Sequence, residues 1–450
     1  MYKIIFFLFL SHLLVPALPA YLFIQGAEKH VSIYIIISRV AGIYAFVWYS
    51  MQFILTARLR LIERIYAQDK RIVLHMIFSL CTLAVVLIHT AFCNEKAASE
   101  LQAGFGGTAD TVFLFAILFS SLFFSNYFIR LVPYLIPYRD KISSSLRLTY
   151  ERCQILHYAM PIGMLIVIFH IILLPGNNFI AFKICMTTIS CIGLSVFFIH
   201  KFYIPKSAYK NPWNVNSIIK ESETITTLSF EHPKRKQLKH NAGQFCYISP
   251  IDATIPDQFH PFTISSGSKD DHPSITFKTV GDFTAQLKNI RTGMPVAIIG
   301  PYGQLSYSHV PSSHALVFIA GGVGITPMLS MLKDISEDDP DRKILLIWSV
   351  RFTSDFIRYE EIKSMGQQMQ NFIFEPIVSG ENQWEGRKGR ISEALLIELF
   401  KIHKFYSINA QYSKTAFFVC GPPLMSSAVC RALKKIGVKN VQVHTERFAF

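Results

Sequence analysis

The sequence predicts a multi-domain membrane protein in which a six-helix transmembrane bundle is followed by an antiparallel β-barrel and an α/β domain. Of its 450 residues, 51% are hydrophobic and 16% are charged, whereas about a quarter of the residues in a soluble domain are charged. Long apolar runs fill the first part of the chain, and from Asn211 onward the composition is that of a soluble protein. The predicted domains are therefore 1–210, 211–312 and 313–450.

Six apolar runs in the first part each approach the roughly 20 residues that cross the hydrocarbon core of a bilayer. The predicted spans are 3–24, 32–57, 72–93, 111–136, 155–175 and 179–204. The first run follows Lys3 and contains Val15-Pro16-Ala17, so it also resembles a signal peptide with a small-residue cleavage site. A retained helix and a cleaved signal both leave the orientation of the later spans unchanged.

Basic residues are concentrated in the loops after the second and fourth predicted spans. These residues are Arg58, Arg60, Arg64, Lys70 and Arg71 in one loop, and Arg139, Lys141, Arg147 and Arg152 in the other. The loop after the third span holds Glu95, Lys96, Glu100 and Asp110. The positive-inside rule then puts both basic loops and both termini in the cytoplasm. We expect an integral protein of the plasma (inner) membrane with a cytoplasmic C-terminal half.

Charge and cysteine content exclude several classes of protein. The formal net charge of +14 is explained by the basic loops at the membrane boundary, so no nucleic acid is expected as a partner. The eight cysteines are scattered without a C-x-x-C pair. The sequence therefore predicts no disulfide framework, no zinc site and no iron–sulfur cluster.

Four histidines lie in two of the predicted spans, His75 and His89 in the third and His157 and His170 in the fifth. Ionisable groups are costly inside a membrane and indicate function, and neutral imidazole is a common axial ligand of haem iron. Both spans run outward from the cytoplasm, so His75 pairs with His157 near the inner face and His89 with His170 near the outer face. The pairs predict two b-type haems; alternatively, each histidine only hydrogen-bonds a neighbouring helix.

Helical geometry explains only one of the two histidine spacings. His75 and His89 are 14 residues apart, which returns to within about 40° of the same helix face. His157 and His170 are 13 residues apart, and this separation does not return to the same helix face. Pro161 lies between them, and a proline kink can re-aim a helix. Arg39, near the outer end of the second span, is expected either to pair with a haem propionate or to extend to the membrane interface.

The C-terminal half contains two patterns of strands. Short alternating runs such as GQFCYIS, PSITFKTV and MPVAIIG predict the antiparallel β-barrel over 211–312. From residue 313, the buried strands HALVFIA (314–320), ILLIWSV (344–350) and AFFVCG (416–421) alternate with helices. This alternation predicts a nucleotide-binding α/β domain.

A glycine-rich turn, GGVGITP, follows the first buried strand and precedes a helix. Gly321, Gly322 and Gly324 allow a tight bend and a close approach of the backbone to a pyrophosphate. Thr326 is expected to cap the helix, and Pro327 suits its first turn. The pyrophosphate would then lie at the positive end of the helix.

Five motifs occur in an order that resembles a known family. They are HPFTISS (260–266), GPYG (300–303), GGVGITP (321–327), CGPP (420–423) and ERF (446–448). Together they resemble the ferredoxin–NADP reductase superfamily, in the branch fused to a ferric-reductase transmembrane domain that includes NADPH oxidases and ferric reductases. The resemblance covers nearly the whole chain, because the two histidine pairs match the haem ligands of that branch.

The resemblance implies a flavin site formed by HPFT and VGDFT. His260, Pro261, Phe262 and Thr263 would line the isoalloxazine, with Thr263 near flavin N5. Gly281 and Thr284 would approach the FAD pyrophosphate through backbone and hydroxyl donors.

The resemblance also implies residues at the nicotinamide. Cys420 would lie by the carbon that gives up hydride, and Glu446 would support the flavin–nicotinamide site. Phe448 would stack on the flavin and yield to nicotinamide. Phe450 ends the sequence, where the oxidases commonly stop at the stacking aromatic, so Phe450 is the alternative.

Cofactor preference depends on the segment after the second buried strand. Arg351 follows this strand, where a basic residue can meet the 2′-phosphate of NADPH. Asp355 lies a few residues further on and keeps NADH possible. Gly421 and Pro422 of CGPP complete the predicted cofactor-binding residues.

These patterns predict a transmembrane oxidoreductase. Nicotinamide delivers a hydride and haem iron accepts single electrons, so FAD is the necessary intermediary. Electrons would pass from NADPH through FAD and two haems to an external acceptor, with dioxygen, chelated ferric iron and cupric ions all compatible. The alternatives are a membrane-anchored flavin reductase without haem and a non-catalytic scaffold. The oligomeric state is not predicted.

Overall fold

The computed structural model describes residues 2–26, 32–57, 59, 68–93, 100–123, 132–146, 155, 157–174, 177–405 and 414–446. The chain forms two compact units. The first comprises Met1–Ile62 and Lys70–Lys201, and the second comprises Glu63–Asp69 and Phe202–Phe450.

The first unit is helical. Its helices are α1 (Tyr2–Gly26), α2 (Ile33–Thr56), α3 (Gln68–Ala91), α4 (Glu100–Phe123), α5 (Ile136–Ser145), α6 (Ala159–Ile172) and α7 (Ile180–Phe198). Each of the six predicted spans overlaps one of these helices. Among the described residues, the stretches long and apolar enough to cross a membrane are Ile33–Thr56, Arg71–Ala91, Glu100–Ser120 and Ile180–Lys210. A bundle of six complete spans stays a prediction.

The predicted fourth span starts too late. Helix α4 begins at Glu100 rather than at residue 111, so Glu100 and Asp110 lie in a helix and not in a loop. Glycines and polar residues in this stretch hid the helix from the hydropathy pattern. Packing holds it instead, since Gln102 is buried and a Cβ at Gly106 would lie 3.0 Å from the His170 ring. Tertiary contact here overrides weak helix propensity.

The kink expected at Pro161 stays a prediction, and the helix is interrupted at Tyr158, just before this residue. Regular helix α6 begins at Ala159, after a turn at Tyr158 whose N–H donates to the Ile155 carbonyl at 3.0 Å. Pro161 is therefore in the first turn of α6, where a backbone N–H has no helical partner and proline is tolerated. His157 precedes the regular helix, so the 100° rule does not apply between it and His170.

The first basic loop is shorter than predicted because α3 begins at Gln68. Arg71 lies in this helix, 4% exposed, and its Nη1 donates to the Ala57 carbonyl at 3.0 Å. A cation at the carboxyl end of α2 is stabilised by the helix dipole. The residues Arg58, Arg60, Arg64, Glu95, Lys96, Arg147 and Arg152 lie outside the described part of the chain.

Aromatic rings and methionines form the core of the first unit. The Tyr49 ring packs edge-on against Phe113 at 4.0 Å and lies 5.4 Å from Phe53. Met164 and Met186 are 0% and 1% exposed beside them. Burial of these large side chains joins α2, α4, α6 and α7 into one packed core.

The first sheet of the second unit is antiparallel. Its strands are β1 (Trp213–Lys220), β2 (Ile225–Glu231), β3 (Phe245–Pro250), β4 (His260–Thr263), β5 (Ser274–Lys278) and β6 (Pro295–Tyr302). Their order is β4-β3-β6-β1-β2-β5. Ile264 and Ile275 form an isolated antiparallel bridge between the two outer strands. Closure into a complete barrel stays a prediction. Two helices accompany this sheet, α8 (Ile204–Lys210) and α9 (Asp282–Gln286).

The second sheet is parallel. Its strands are β7 (Ala315–Gly321), β8 (Ile344–Val350), β9 (Phe372–Val378), β10 (Arg387–Lys388), β11 (Thr415–Cys420) and β12 (Val443–Thr445), in the order β10-β9-β8-β7-β11-β12. The accompanying helices are α10 (Thr326–Asp338), α11 (Tyr359–Gln368), α12 (Glu393–Ile402) and α13 (Pro423–Lys435). The apolar runs of β7, β8 and β11 are buried on both faces, as parallel strands under helices require.

Polar contacts join the two sheets. Ser268 donates to the buried carboxylate of Asp334 from its backbone N–H at 2.7 Å and from its hydroxyl at 2.6 Å. Lys278, at the end of β5, pairs with Asp355 after β8 at 2.6 Å. Since both acids are at most 8% exposed, loss of either partner would leave a poorly solvated charge.

The turn after β7 packs against the turn after β11. A Cβ at Gly324 would lie 2.5 Å from the Cys420 carbonyl oxygen, and a Cβ at Gly321 would lie 2.2 Å from the sulfur of Met425. Gly322 has a φ of +54° and open space around its Cα. Two glycines are thus required by packing and one by backbone conformation.

We expect Gly324→Ala to destabilise the protein, because the added methyl group meets backbone that cannot move aside. Overpacking of this kind costs about 1–3 kcal/mol, or several degrees in the thermal midpoint, measured as flavin release from the full-length protein in detergent. Gly366→Ala is the matched control, since its Cβ meets nothing closer than 3.8 Å. Equal midpoints for the two variants would contradict the packing argument.

Candidate cofactor sites

Predicted cofactor residues gather at the carboxyl edge of the parallel sheet. Strand β7 lies between β8 and β11, so its glycine turn is flanked by Arg351 on one side and Cys420 on the other. This edge is where open α/β sheets bind their ligands. Trp348, which the sequence patterns did not single out, fixes the turn by donating its Nε1–H to the Gly322 carbonyl at 3.0 Å.

The helix after this turn begins differently from the prediction. Thr326 is the first residue of α10, and its hydroxyl donates to the Val323 carbonyl at 3.1 Å. Thr326 therefore does not cap the helix, since a cap accepts a bond from a backbone N–H. Pro327 occupies the first turn, as expected. Gly421 and Pro422 lie against Gly321.

The flavin residues predicted from two separate motifs meet in the structure. The His260 ring stacks on Phe283 of VGDFT with centroids 3.7 Å apart. Phe262 lies 6.2 Å from the same ring. Pro261 is paired with Tyr247 of β3. The strand HPFT and the turn VGDFT thus form one surface.

The hydroxyl of Thr284 is engaged within its own turn. It accepts from the backbone N–H groups of Val280 and Gly281 at 3.1 and 3.0 Å and donates to the Gly281 carbonyl at 2.9 Å. Its proton is therefore not directed to a ligand, which differs from the expected hydroxyl donor. Nothing lies within 4 Å of a Cβ at Gly281, so the approach to this turn is open.

Cys420 and Glu446 meet the flavin strands at Gly303. A Cβ at Gly303 would lie 2.8 and 2.9 Å from the two Glu446 oxygens and 2.9 Å from the Phe245 ring. Phe245 is in turn paired with Thr263, which is 6% exposed. Burial, and then the charge of Glu446, raises the pKa of Cys420 to about 12. Phe448 and Phe450 lie outside the described residues.

Arg351 and Asp355 have different surroundings. The Arg351 side chain is exposed and lies over the Phe352 ring at 5.0 Å. Asp355 is 8% exposed and already holds the Lys278 ammonium. Only Arg351 of the two is therefore free to meet a ligand at the end of β8.

In the helical unit, the structure brings His75 and His157 together. Their ring centroids are 6.1 Å apart and their planes are nearly perpendicular, at 83°. Nδ1 of His75 donates to Gln52 Oε1 at 2.7 Å, and Nδ1 of His157 lies 2.9 Å from the Ser120 hydroxyl. Gln52 and Ser120 were not predicted; their signal in the sequence is polarity within an apolar span.

His89 and His170 line one cavity between the helices, which encloses about 860 Å³ including its open mouth. Nδ1 of His89 donates to the Ser38 carbonyl and Nδ1 of His170 to the Gln102 carbonyl, both at 2.8 Å. A Cβ at Gly42 would lie 2.8 Å from the His89 ring, so a small residue is required there.

Arg39 and Asp110 supply charge to the same cavity. Both line it together with the outer histidine pair. Arg39 lies over the Phe23 ring at 5.5 Å. Within the described residues, no group of three or more histidine, cysteine or acidic side chains could hold a metal ion.

Two family models match the C-terminal half. One, described as an FAD-binding domain, matches residues 210–306. The other, described as an oxidoreductase NAD-binding domain, matches residues 318–431. Neither extends over the helices of the first unit.

The relatives match about half of the chain. The reductase component of stachydrine N-demethylase from Rhizobium meliloti is 28% identical over 51% of this chain and 64% of its own length. The flavohemoprotein of Xylella fastidiosa is 28% identical over 52% and 57%. The electron transfer component of anthranilate 1,2-dioxygenase from Acinetobacter baylyi is 26% identical over 50% and 64%. The chain thus spans less than two thirds of each of these relatives.

The matched domains occur in the same order as the two sheets. The FAD-binding match covers the antiparallel strands, and the NAD-binding match covers the parallel strands from β7 through most of α13. The C-terminal half of the chain therefore contains an FAD-binding domain followed by an oxidoreductase NAD-binding domain, which together are called the reductase module below.

Proposed function

We propose that the protein is a transmembrane oxidoreductase that carries electrons from NADPH through FAD and two b-type haems to an external acceptor. The observation that carries the proposal is the arrangement of four histidines as two pairs in apolar helices. The reductase module supplies the electron donor. Among the described helices, His75 and His89 lie on one that is long enough to cross a membrane, and His170 lies on the shorter apolar helix α6. We place the module in the cytoplasm and the protein in the plasma membrane.

The four imidazoles fit axial ligation. Nδ1 of each ring lies within 2.9 Å of an oxygen atom. An oxygen that can only accept at Nδ1, as for His75, His89 and His170, fixes the tautomer that leaves Nε2 for a metal, which is the usual arrangement of ligating histidines. The Ser120 hydroxyl at His157 can take either role. His75 and His157 would hold one haem, and His89 and His170 the other. Bound there, haem supplies one-electron transfer without an open iron position.

In the reductase module, the residues would orient the cofactors and exclude water. The glycine turn presents backbone N–H groups and the start of α10 to a pyrophosphate. Phe245 and Glu446 lie against Gly303, and Thr263, which is paired with Phe245, is buried as they are. Cys420 contributes a small neutral side chain at the nicotinamide end of this site, because its raised pKa keeps the thiol protonated.

Two alternatives keep specific support. Ferric chelates and dioxygen fit the proposal equally as acceptors, since the described part of the outer cavity holds both a cation and an anion. A membrane-anchored NAD(P)H:flavin reductase without haem would use the same C-terminal half. The relatives named as reductase or electron transfer components are consistent with either function.

The spectrum of the purified protein tests the proposal. We expect full-length protein in detergent, made anaerobic and given NADPH, to show flavin bleaching followed by reduction of two bis-histidine haems per chain. His89→Ala should lose one haem and keep the NADPH-to-flavin step, because His89 is not part of the reductase module. A haem-free preparation with intact flavin bleaching would instead establish the anchored flavin reductase.

Cofactor selectivity tests the assignment of Arg351. We expect Arg351→Ala to lower kcat/KM for NADPH by roughly 10–100-fold, the value of a lost charged hydrogen bond, and to leave NADH use unchanged in anaerobic flavin reduction. Asp355→Asn is the control, and it should not alter the ratio of the two cofactors because Asp355 is paired with Lys278. A selective loss of NADH use in that control would show that the carboxylate reaches the ribose.

The thiol of Cys420 should be inert in the folded protein. Burial raises its pKa from 9.0 to about 12, so the folded state keeps it neutral while the unfolded chain ionises above pH 9. The stability linked to this group is present below pH 9 and is lost as pH rises towards 12. Alkylation with iodoacetamide at pH 8.5, read by mass spectrometry, should label Cys420 only after denaturation. Rapid labelling of native protein would refute its burial.

A further inference from the structure

The two histidine pairs differ in the hydrogen-bond partners of their Nδ1 atoms. His89 and His170 donate to backbone carbonyl oxygens, those of Ser38 and Gln102. His75 donates instead to a side chain, Gln52 Oε1, at 2.7 Å. A backbone carbonyl is present whatever the residue, whereas a side-chain acceptor depends on its identity. The Ser38 hydroxyl also lies 3.3 Å from Nδ1 of His89, but the shorter contact there is to the backbone carbonyl, so His75 depends more directly on the identity of its partner residue.

Burying the side-chain amide of Gln52 at this position costs free energy. Gln52 is 6% exposed within the apolar helix α2, and burying an amide costs several kcal/mol unless it is hydrogen-bonded, about 2–7 kcal/mol. Its Nε2 has no hydrogen-bond partner among the residues that the structure describes. The bond to His75 is thus the one polar contact that the described structure gives this amide, and helix packing alone would be served better by an apolar side chain.

The orientation of the amide selects one tautomer of His75. Oxygen Oε1 faces Nδ1, so the ring must carry its proton on Nδ1 and leave Nε2 as a lone pair. An amide turned the other way would donate to Nδ1 and require a proton on Nε2. In the described structure, His75 Nε2 has no protein partner, and the His157 ring lies 6.1 Å away.

We propose that Gln52 is a positioning residue that sets the redox properties of the inner haem by holding His75 in its Nδ1–H tautomer. This inference rests on the proposed function, in which His75 is an axial ligand. The hydrogen bond increases electron donation from the imidazole. Stronger donation favours ferric over ferrous iron and lowers the midpoint potential of the inner haem. The outer haem, whose histidines use backbone acceptors, is independent of Gln52.

The test compares variants of Gln52 in the full-length protein, by haem content, spectroelectrochemical titration and low-temperature EPR. We expect Gln52→Leu to raise the inner midpoint potential, shift the inner low-spin EPR signal and lower haem affinity roughly 10–100-fold. Gln52→Glu keeps an oxygen acceptor at the same reach and should retain haem without a rise in potential. Gln52→Met, of nearly the same shape, replaces the leucine variant if that one fails to fold.

Ser79→Ala is the matched control. Ser79 is on the same helix as His75, and its hydroxyl donates to the His75 backbone carbonyl at 2.7 Å and not to the ring. Both haems should keep their wild-type potentials in this variant. The inference is supported if the Gln52→Leu variant changes the potential and EPR signal of the inner haem alone and the Gln52→Glu variant does not.

Two results would overturn it. In the first, the Gln52→Leu variant has wild-type potentials and EPR signals. In the second, the Gln52→Glu variant shows the same changes as Gln52→Leu, which would mean that the shape of the amide matters and the acceptor atom does not. Failure of the proposed function is distinct, because wild-type protein would then lack haem altogether.

Discussion

The need of each buried imidazole for a hydrogen-bond acceptor constrains the whole helical unit. An unpaired polar group in an apolar environment is costly, so each histidine helix requires a neighbour that offers oxygen at the right height. Helix α2 provides Ser38 and Gln52 to α3, and their separation of 14 residues equals that of His89 and His75. The equal spacing fixes how the two antiparallel helices are aligned along their length.

The matching separations of 14 residues, between Ser38 and Gln52 and between His75 and His89, can be read from the sequence and could have predicted these hydrogen bonds. The four histidines were identifiable because ionisable residues stand out in apolar spans. Their acceptors were harder to find, because two of the four are backbone carbonyls, which every residue has. Gln102 and the start of α4 were missed together, since glycine-rich sequence there forms a helix only through its contact with His170.

In the reductase module, the central strands were predicted to within one residue, because their unbroken β-branched and aromatic runs fit only a strand buried on both faces. The glycine turn was located correctly but only partly explained. Gly321 and Gly324 are demanded by the turn after Cys420, about 100 residues later in the chain. No local pattern reports a contact of that range. Thr326 differs from the prediction for a local reason, because its hydroxyl donates back to the Val323 carbonyl three residues earlier.

The ion pair between Lys278 and Asp355 connects cofactor choice to the assembly of the module. Asp355 lies at the end of β8, where an acidic residue would favour a free ribose hydroxyl, yet its carboxylate holds a lysine from the antiparallel sheet at 2.6 Å. Releasing it for a ribose would leave Lys278, itself only 31% exposed in its side chain, without its partner. Removal of one member of such a pair costs more than the pair contributes. The contact that joins the two sheets therefore also engages Asp355, an acidic group that would favour NADH, which is why we propose that Arg351 decides the preference.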